Sequence, residues 1–408
     1  MTAPAPVSAP RSAIRRRPAE EQSGNRAARQ GAEPTGKAPE QSQAIRVMIV
    51  DDSLTVRTIF KRMVESDGAM EVIATASSAE RAIAQLSSTS VDVILLDLEM
   101  PGMGGLEALP EILKQSAGGQ VLVVSSLTQD GAEHTVSALS MGAADTMLKP
   151  RPGGFNEDYR AQLLGKIRAL GDSELGADES AAKQDAPTSL DAKPSAHPKQ
   201  AQAAGQLVLS KAPEVIAIGA STGGIHALNI MLRRLTPNFD LPIVITQHLP
   251  ASFIPVFARQ VEMACARPAV IADDGTEIRR GEVAIAPGHG HMMVRCVGDR
   301  LVTRTSADPA RSGCMPSVDP MFSSLARACE GRVLGVVLSG MGRDGFEGAQ
   351  ALVQAGGAII AQNAETSAVW GMPGAVAKAG LTSLIGSPEE IGDAVLKAAS
   401  GPTPSDRG

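Results

Sequence analysis

The run Val215-Ile-Ala-Ile-Gly-Ala-Ser-Thr-Gly-Gly-Ile225 constrains this chain more than any other segment. Its β-branched start reads as a buried strand. Small residues then make a tight turn, and helical spacing follows directly. A strand–turn–helix of this kind lifts Ser221 to the rim of a sheet, beside the backbone N–H groups of the helix start. Those donors stabilise negative charge on an oxygen. The geometry suits a nucleophile, but Gly219, Gly223 and Gly224 equally suit a phosphate cradle. The rest of the chain has to choose between them.

The same alternation runs through most of the 408 residues. Strands are expected at Ile45–Val50, 71–74, 91–96, 121–125 and 146–148, with helical stretches between them. A second series begins at Val215 and includes 241–246, 282–286, 333–338 and 358–361. Strands alternating with helices imply parallel sheets covered on both faces, so the expected fold class is α/β with two doubly wound domains. Residues 1–44 are rich in Ala, Pro, Arg, Gln and Glu without apolar periodicity, and read as a disordered tail. The expected boundaries are a first domain over 45–165, a linker over 166–212, a second domain over 213–397 and a tail over 398–408. A net charge of −6 argues against a nucleic-acid or membrane-surface protein. No apolar stretch is long enough to span a bilayer, and no apolar segment follows Arg15-Arg16-Arg17, which excludes a twin-arginine signal. Cys265, Cys296, Cys314 and Cys329 lack metal-site spacing. They read as reduced thiols of a cytoplasmic protein, mostly core fillers.

In the first domain Asp51 and Asp52 follow the first strand. Asp97 ends the third, Ser125 the fourth, and Lys149-Pro150 closes the fifth. Side chains beyond the C-terminal edge of a parallel sheet converge. Three carboxylates at one point repel unless a hard divalent cation sits among them, and Mg²⁺ fits because it takes oxygen ligands. Lys149 supplies a compensating charge and Ser125 a hydroxyl donor, which leaves Asp97 as a nucleophile for a phosphoryl group. A single such acid is normally a turn residue or N-cap. Four coordinated strand ends are not. The segments Val50-Asp-Asp-Ser, Leu95-Leu-Asp-Leu-Glu-Met-Pro, Val124-Ser-Ser and Lys149-Pro resemble the flavodoxin-like receiver domain of bacterial response regulators. The resemblance implies phosphorylation of Asp97 by a histidine kinase. It also implies Mg²⁺ held by Asp52, Asp97 and the Glu99 carbonyl, with Asp51 acting mainly through water. Thr146 stands where the family often has an aromatic residue, and Gly104 where an acidic one is common.

In the second domain, Ile243-Val-Ile-Thr-Gln-His248 ends in a histidine, and Gly335-Val-Val-Leu-Ser-Gly-Met-Gly-Arg-Asp-Gly345 ends in a glycine-rich loop. Ser221, His248 and Asp344 therefore lie past strand ends, as nucleophile, base and base-orienting carboxylate. Their order differs from that of α/β-hydrolases. Glycines around Met341 free its amide to serve as an oxyanion donor. Spacing alone leaves a hydrolytic triad and a nucleotide-binding fold evenly matched. His289 and His291 form an H-x-H pair without an obvious third ligand and read as pocket lining.

Gly219-Ala-Ser-Thr-Gly-Gly, Thr246-Gln-His, Ile285-Ala-Pro-Gly, Pro316-Ser-Val-Asp, Gly340-Met-Gly-Arg-Asp-Gly, Ala361-Gln-Asn and Trp370-Gly-Met-Pro are similar to the Rossmann-like catalytic domain of chemotaxis protein-glutamate methylesterases. That family joins a receiver to this domain. The resemblance implies a Ser221–His248–Asp344 triad, with the Met341 amide and the Ser221–Thr222 turn at the oxyanion. It further implies demethylation and deamidation of methyl-accepting chemoreceptors, no cofactor for hydrolysis, and a monomer. Met315 replaces a frequent basic residue. Two rival classes remain at this point. One is a nucleotide-binding oxidoreductase, disfavoured because the loop lacks G-x-G-x-x-G spacing and a P-loop lysine. The other is a phospho-dependent adaptor with a vestigial triad. An unphosphorylated receiver is expected to cover the Ser221 edge.

Overall fold

The computed structural model describes residues 44–126, 128–150, 154–171, 209, 211–236 and 238–399. Residues 1–43, most of the expected linker and residues 400–408 lie outside these residues, and Ala398 and Ala399, expected in the C-terminal tail, end the last helix. The first sheet comprises β1 (Ile45–Val50), β2 (Met70–Ala76), β3 (Val93–Asp97), β4 (Gln120–Ser125) and β5 (Asp145–Leu148). All its pairings are parallel, in the order β2-β1-β3-β4-β5. Helices α1 (Leu54–Val64), α2 (Ala79–Leu86), α3 (Gly105–Gln115), α4 (Gln129–Met141) and α5 (Glu157–Gly171) connect and flank the strands. Strand order reverses between β1 and β3, so Asp51 and Asp97 face the crevice where such folds bind ligands. Ser53 caps α1 by accepting from the Val56 amide, which starts the helix directly after the acidic pair. Helix α5 continues to Gly171, beyond the expected start of the linker at 166.

The second sheet has seven parallel strands in the order β15-β14-β13-β6-β7-β10-β8. These are β6 (Val215–Ala220), β7 (Ile243–Gln247), β8 (Ala269–Ile271), β10 (Val283–Ile285), β13 (Val333–Val337), β14 (Ala358–Gln362) and β15 (Thr382–Gly386). Val215, Ile216, Ala217 and Ile218 are all fully buried. Burial on both faces is why β6 reads as a continuous apolar run rather than an alternating one. The chain moves outward in one direction from β6 to β7 and in the other to β13. Ser221 therefore leaves the sheet at its switch point. Helices α6 (Gly224–Arg233), α7 (Ile254–Cys265), α8 (Val318–Ala328), α9 (Phe346–Gln354), α10 (Met372–Lys378) and α11 (Pro388–Ala399) complete the domain.

A small antiparallel sheet was not expected from the sequence. It pairs β11 (His291–Val297) with β12 (Arg300–Ser306), and β12 with β9 (Glu277–Ile278). It packs through Met292 and Val294 against the same core as α8.

Candidate active site

Ser221 sits in the turn between β6 and α6. Its amide donates to the Ser339 carbonyl at 3.0 Å, and its carbonyl accepts from Gly224 N at 2.8 Å and Gln247 Nε2 at 3.0 Å. The Ser221 backbone is therefore held from β6, β7 and the loop after β13. Gly223 has φ +75°, a conformation that favours glycine, and a Cβ there would lie 2.5 Å from Ala368 Cβ. At Gly340 a Cβ would lie 2.8 Å from Ser221 Cβ and 2.3 Å from Met372 Sδ. A side chain at either position would displace the serine turn.

His248 follows β7, and its amide donates to Ala220 O at 3.0 Å, which ties it to the end of β6. The ring spans the two other residues. Nδ1 lies 3.1 Å from Ser221 Oγ, and Nε2 lies 2.7 Å from Asp344 Oδ2. This ring faces its serine through Nδ1, the reverse of the chymotrypsin arrangement, yet the chain of contacts is the same. Asp344 is 2% exposed. Its Oδ1 accepts from Ser317 Oγ at 2.6 Å and its Oδ2 from Val318 N at 2.7 Å.

These contacts set the charges. Burial raises the Asp344 pKa, but the imidazole, the Ser317 hydroxyl and the Val318 amide outweigh it and hold the carboxylate far below its usual range. Burial likewise disfavours the His248 cation, but Asp344 and Cys314 outweigh it and push the imidazole up to about 9. Asp319, beside Asp344, moves the opposite way. Burial and the neighbouring charge raise it to about 7, with the Gly348 amide offsetting part of the shift. The buried Asp344 and the half-buried Asp319 thus have their proton affinities moved in opposite directions.

Neither the Met341 nor the Thr222 amide has a hydrogen-bond partner among the described residues, as an oxyanion donor requires. The Thr222 side chain is engaged elsewhere, with Oγ1 donating to Asp145 Oδ2 of the first domain at 2.6 Å. Beside it Gly223 N donates to Ala144 O at 2.6 Å, and His226 Nδ1 lies 2.9 Å from Ser140 O. The space bounded by Ala144, Asp145, Ser221 and His248 is only about 10 Å³, too small for a substrate side chain.

Sequence reading missed the supports of the triad. Ser317 and Asp319 lie in a segment noticed only for its resemblance. His291, in an H-x-H pair that reads as pocket lining, is buried. Its Nδ1 in fact accepts from Ser317 N at 2.9 Å while Nε2 lies 2.8 Å from Asp308 O, so it fixes the loop that holds Asp344. The reading of the cysteines also needs correction. Cys265 and Cys329 are buried, but Cys296 is exposed and Cys314 is half-buried beside His248.

In the first domain the ligand atoms of Asp51, Asp52 and Asp97 lie within 4.8 Å of one another. Asp51 and Asp97 are each 1% exposed, whereas Asp52 points outward. Lys149 Nζ lies 2.5 Å from Asp97 Oδ2 and 3.2 Å from Asp51 Oδ2. Burial lifts Asp97 to about 6 despite the ammonium. Burial disfavours the ammonium itself, but Asp97 and Asp51 outweigh it and raise the Lys149 pKa. Asp51 Oδ2 is buried without a hydrogen bond. Three clustered carboxylates with one ammonium between two of them form an all-oxygen donor set of net negative charge, which fits a hard divalent cation. Glu99 donates its amide to Asp97 Oδ1 at 3.0 Å, and its carboxylate accepts from Ser126 Oγ at 2.5 Å. The Ser125 hydroxyl is fully buried and accepts from Thr135 Oγ1 at 2.7 Å.

Comparison with known proteins agrees with this division. Residues 47–154 match the model of the response regulator receiver domain and residues 216–395 that of the CheB methylesterase. A protein-glutamate methylesterase/protein-glutamine glutaminase of Rhodospirillum rubrum is 40% identical over 373 residues, covering 87% of this chain and 95% of that protein. One from Caulobacter vibrioides is 41% identical over 358 residues, covering 87% and 99%. Among the described residues no helix is long and apolar enough to cross a membrane.

Proposed function

The chain belongs to the protein-glutamate methylesterase/protein-glutamine glutaminase family, and on that premise we propose that Ser221, His248 and Asp344 are its hydrolytic machinery. It is a phosphorylation-activated chemotaxis hydrolase that removes methyl groups from glutamate esters and ammonia from glutamines. The observation that carries the residue roles is the continuous Ser221–His248–Asp344 hydrogen-bond chain. Ser221 Oγ attacks the ester carbonyl while His248 Nδ1 takes its proton. Asp344 holds Nε2–H and stabilises the imidazolium. The Met341 and Thr222 amides receive the oxyanion. His248 then returns the proton to the leaving oxygen and methanol departs. Water, deprotonated by His248, splits the acyl-enzyme to glutamate and free serine. The substrates in this reading are methyl-accepting chemoreceptors. Methanol release from methylated receptor membranes, with and without a phosphodonor, tests it. Release that persists after loss of Ser221 would sink the assignment.

Asp97 would attack a phosphohistidine on a chemotaxis histidine kinase, forming an acyl phosphate and freeing the histidine. Asp51, Asp52, Asp97 and the Glu99 carbonyl would hold Mg²⁺, whose charge would offset the clustered carboxylates and orient the phosphoryl group. Lys149 neutralises Asp97 until then. The boundary between receiver and esterase falls in the segment between Gly171 and Val215. The Ala144 and Asp145 contacts to the Ser221 turn support a receiver that blocks the site until phosphorylation shifts the population. In Asp97→Asn, the ratio of rates with and without phosphodonor should fall to about one. Asp145→Ala should raise the unstimulated rate severalfold, and an unchanged rate would remove that contact from the control mechanism.

The pH profile follows from His248. Its neutral form is the base, and Asp344 stays ionised throughout the working range. As pH falls below about 9, Nδ1 gains the proton it must accept from Ser221, so kcat/KM should fall. A profile rising from neutral into alkaline pH is expected. A flat one would exclude His248 as the base.

A further inference from the structure

The ligand atoms of His248, Cys314 and Asp344 all lie within 4.8 Å of one another. We infer that these three residues form a binding site for a thiophilic divalent cation, with Zn²⁺ as the best match, that silences the esterase when filled. The silencing rests on the triad reading above; the binding does not.

Thiolate, imidazole and carboxylate are the three ligand types that zinc takes, at about 2.3, 2.0 and 2.0–2.2 Å. Tetrahedral geometry at those lengths separates ligand atoms by about 3.3–3.7 Å. The present 2.7 Å between His248 Nε2 and Asp344 Oδ2 is a hydrogen bond. The ion would replace its proton and part the two atoms by roughly half an ångström. Binding also displaces the thiol proton, and both protons pass to solvent. The site already has outer support. Asp344 is held by Ser317 and Val318, and the Ser317 amide is held by His291. Ligands fixed in this way bind metals more tightly than loose ones. Entry is from the Cys314 side, which is half-buried, whereas the His248 side chain is only 15% exposed. Three protein ligands leave a fourth position, which water would complete.

This cluster differs in kind from the Asp51–Asp52–Asp97 group. All-oxygen ligands select hard cations, whereas a thiolate and an imidazole select zinc and its neighbours. A metal on His248 Nε2 and Asp344 removes the orientation and charge that the base needs, and blocks the reaction without touching Ser221.

The test uses the full chain, stripped with chelator and kept in excess Mg²⁺. Titration with Zn²⁺ should abolish methanol release, and chelator should restore it. In Cys314→Ser, the half-inhibitory Zn²⁺ concentration should rise about tenfold or more relative to that variant's own metal-free rate. Cys296→Ser, which alters the exposed thiol, should shift little. Titration with Co²⁺ should give a thiolate-to-metal charge-transfer band in the wild type and Cys296→Ser, and none in Cys314→Ser. Equal Zn²⁺ sensitivity in Cys314→Ser, or no band in the wild type, would overturn the site. A band that tracks Cys314 without inhibition would uphold the site but overturn the silencing, and would count against the triad.

Discussion

Methanol release should fall by about ten-thousandfold or more in Ser221→Ala, while the receiver still accepts a phosphoryl group at Asp97. The size follows from what alanine removes. Ser221 Oγ lies 3.1 Å from His248 Nδ1, and in the proposed mechanism the hydroxyl is both the attacking atom and the source of the proton that the base takes. Without it water must attack directly, and only oxyanion binding and positioning remain. The fold should survive. The turn is held by the Ser221 backbone, through Ser339 O, Gly224 N and Gln247 Nε2, and alanine keeps all three contacts. Urea midpoints within error of wild type would separate loss of chemistry from loss of structure. A residual rate within tenfold of wild type would mean that another group is the nucleophile.

Asp344→Asn should cost about as much, roughly ten-thousandfold in kcat, by a different route. The carboxylate accepts three hydrogen bonds, from His248, Ser317 and Val318. An amide has one acceptor oxygen, so at least one of those donors would face an NH₂ group. If that donor is His248, the ring turns its proton toward Ser221 and can no longer accept one. The variant also loses the charge that raises the His248 pKa. Whatever activity remains should show its acidic limb at lower pH than wild type. A slow variant with an unmoved limb would mean that Asp344 only supports the loop. A fast variant would remove it from the mechanism.

The sequence by itself determined the two sheets and the level at which the chemistry lies. Buried parallel strands are continuous apolar runs, and the residues after them are forced to the C-terminal edge. Asp51, Asp97, Ser221, His248 and Asp344 are therefore legible at that edge in the sequence itself. Motif resemblance chose hydrolysis over nucleotide binding where spacing alone left the two matched. Tertiary structure decided what those residues touch. Nothing local says that His248 meets Ser221 through Nδ1, because ring orientation depends on a carboxylate 96 positions away. Ser317 reaches Asp344 across 27 positions and His291 reaches Ser317 across 26, the latter from the head of β11 in the antiparallel β11–β12–β9 sheet. Its two-residue strand β9 is too short to leave a periodic signal. Cys314 reads as a core filler until folding sets it beside the triad. The seating of Ala144 and Asp145 on the Ser221 turn joins segments whose patterns are locally independent. Periodicity records which face of an element is buried. Which distant groups share a pocket is fixed by packing between elements, and a single sequence does not encode that in any local pattern.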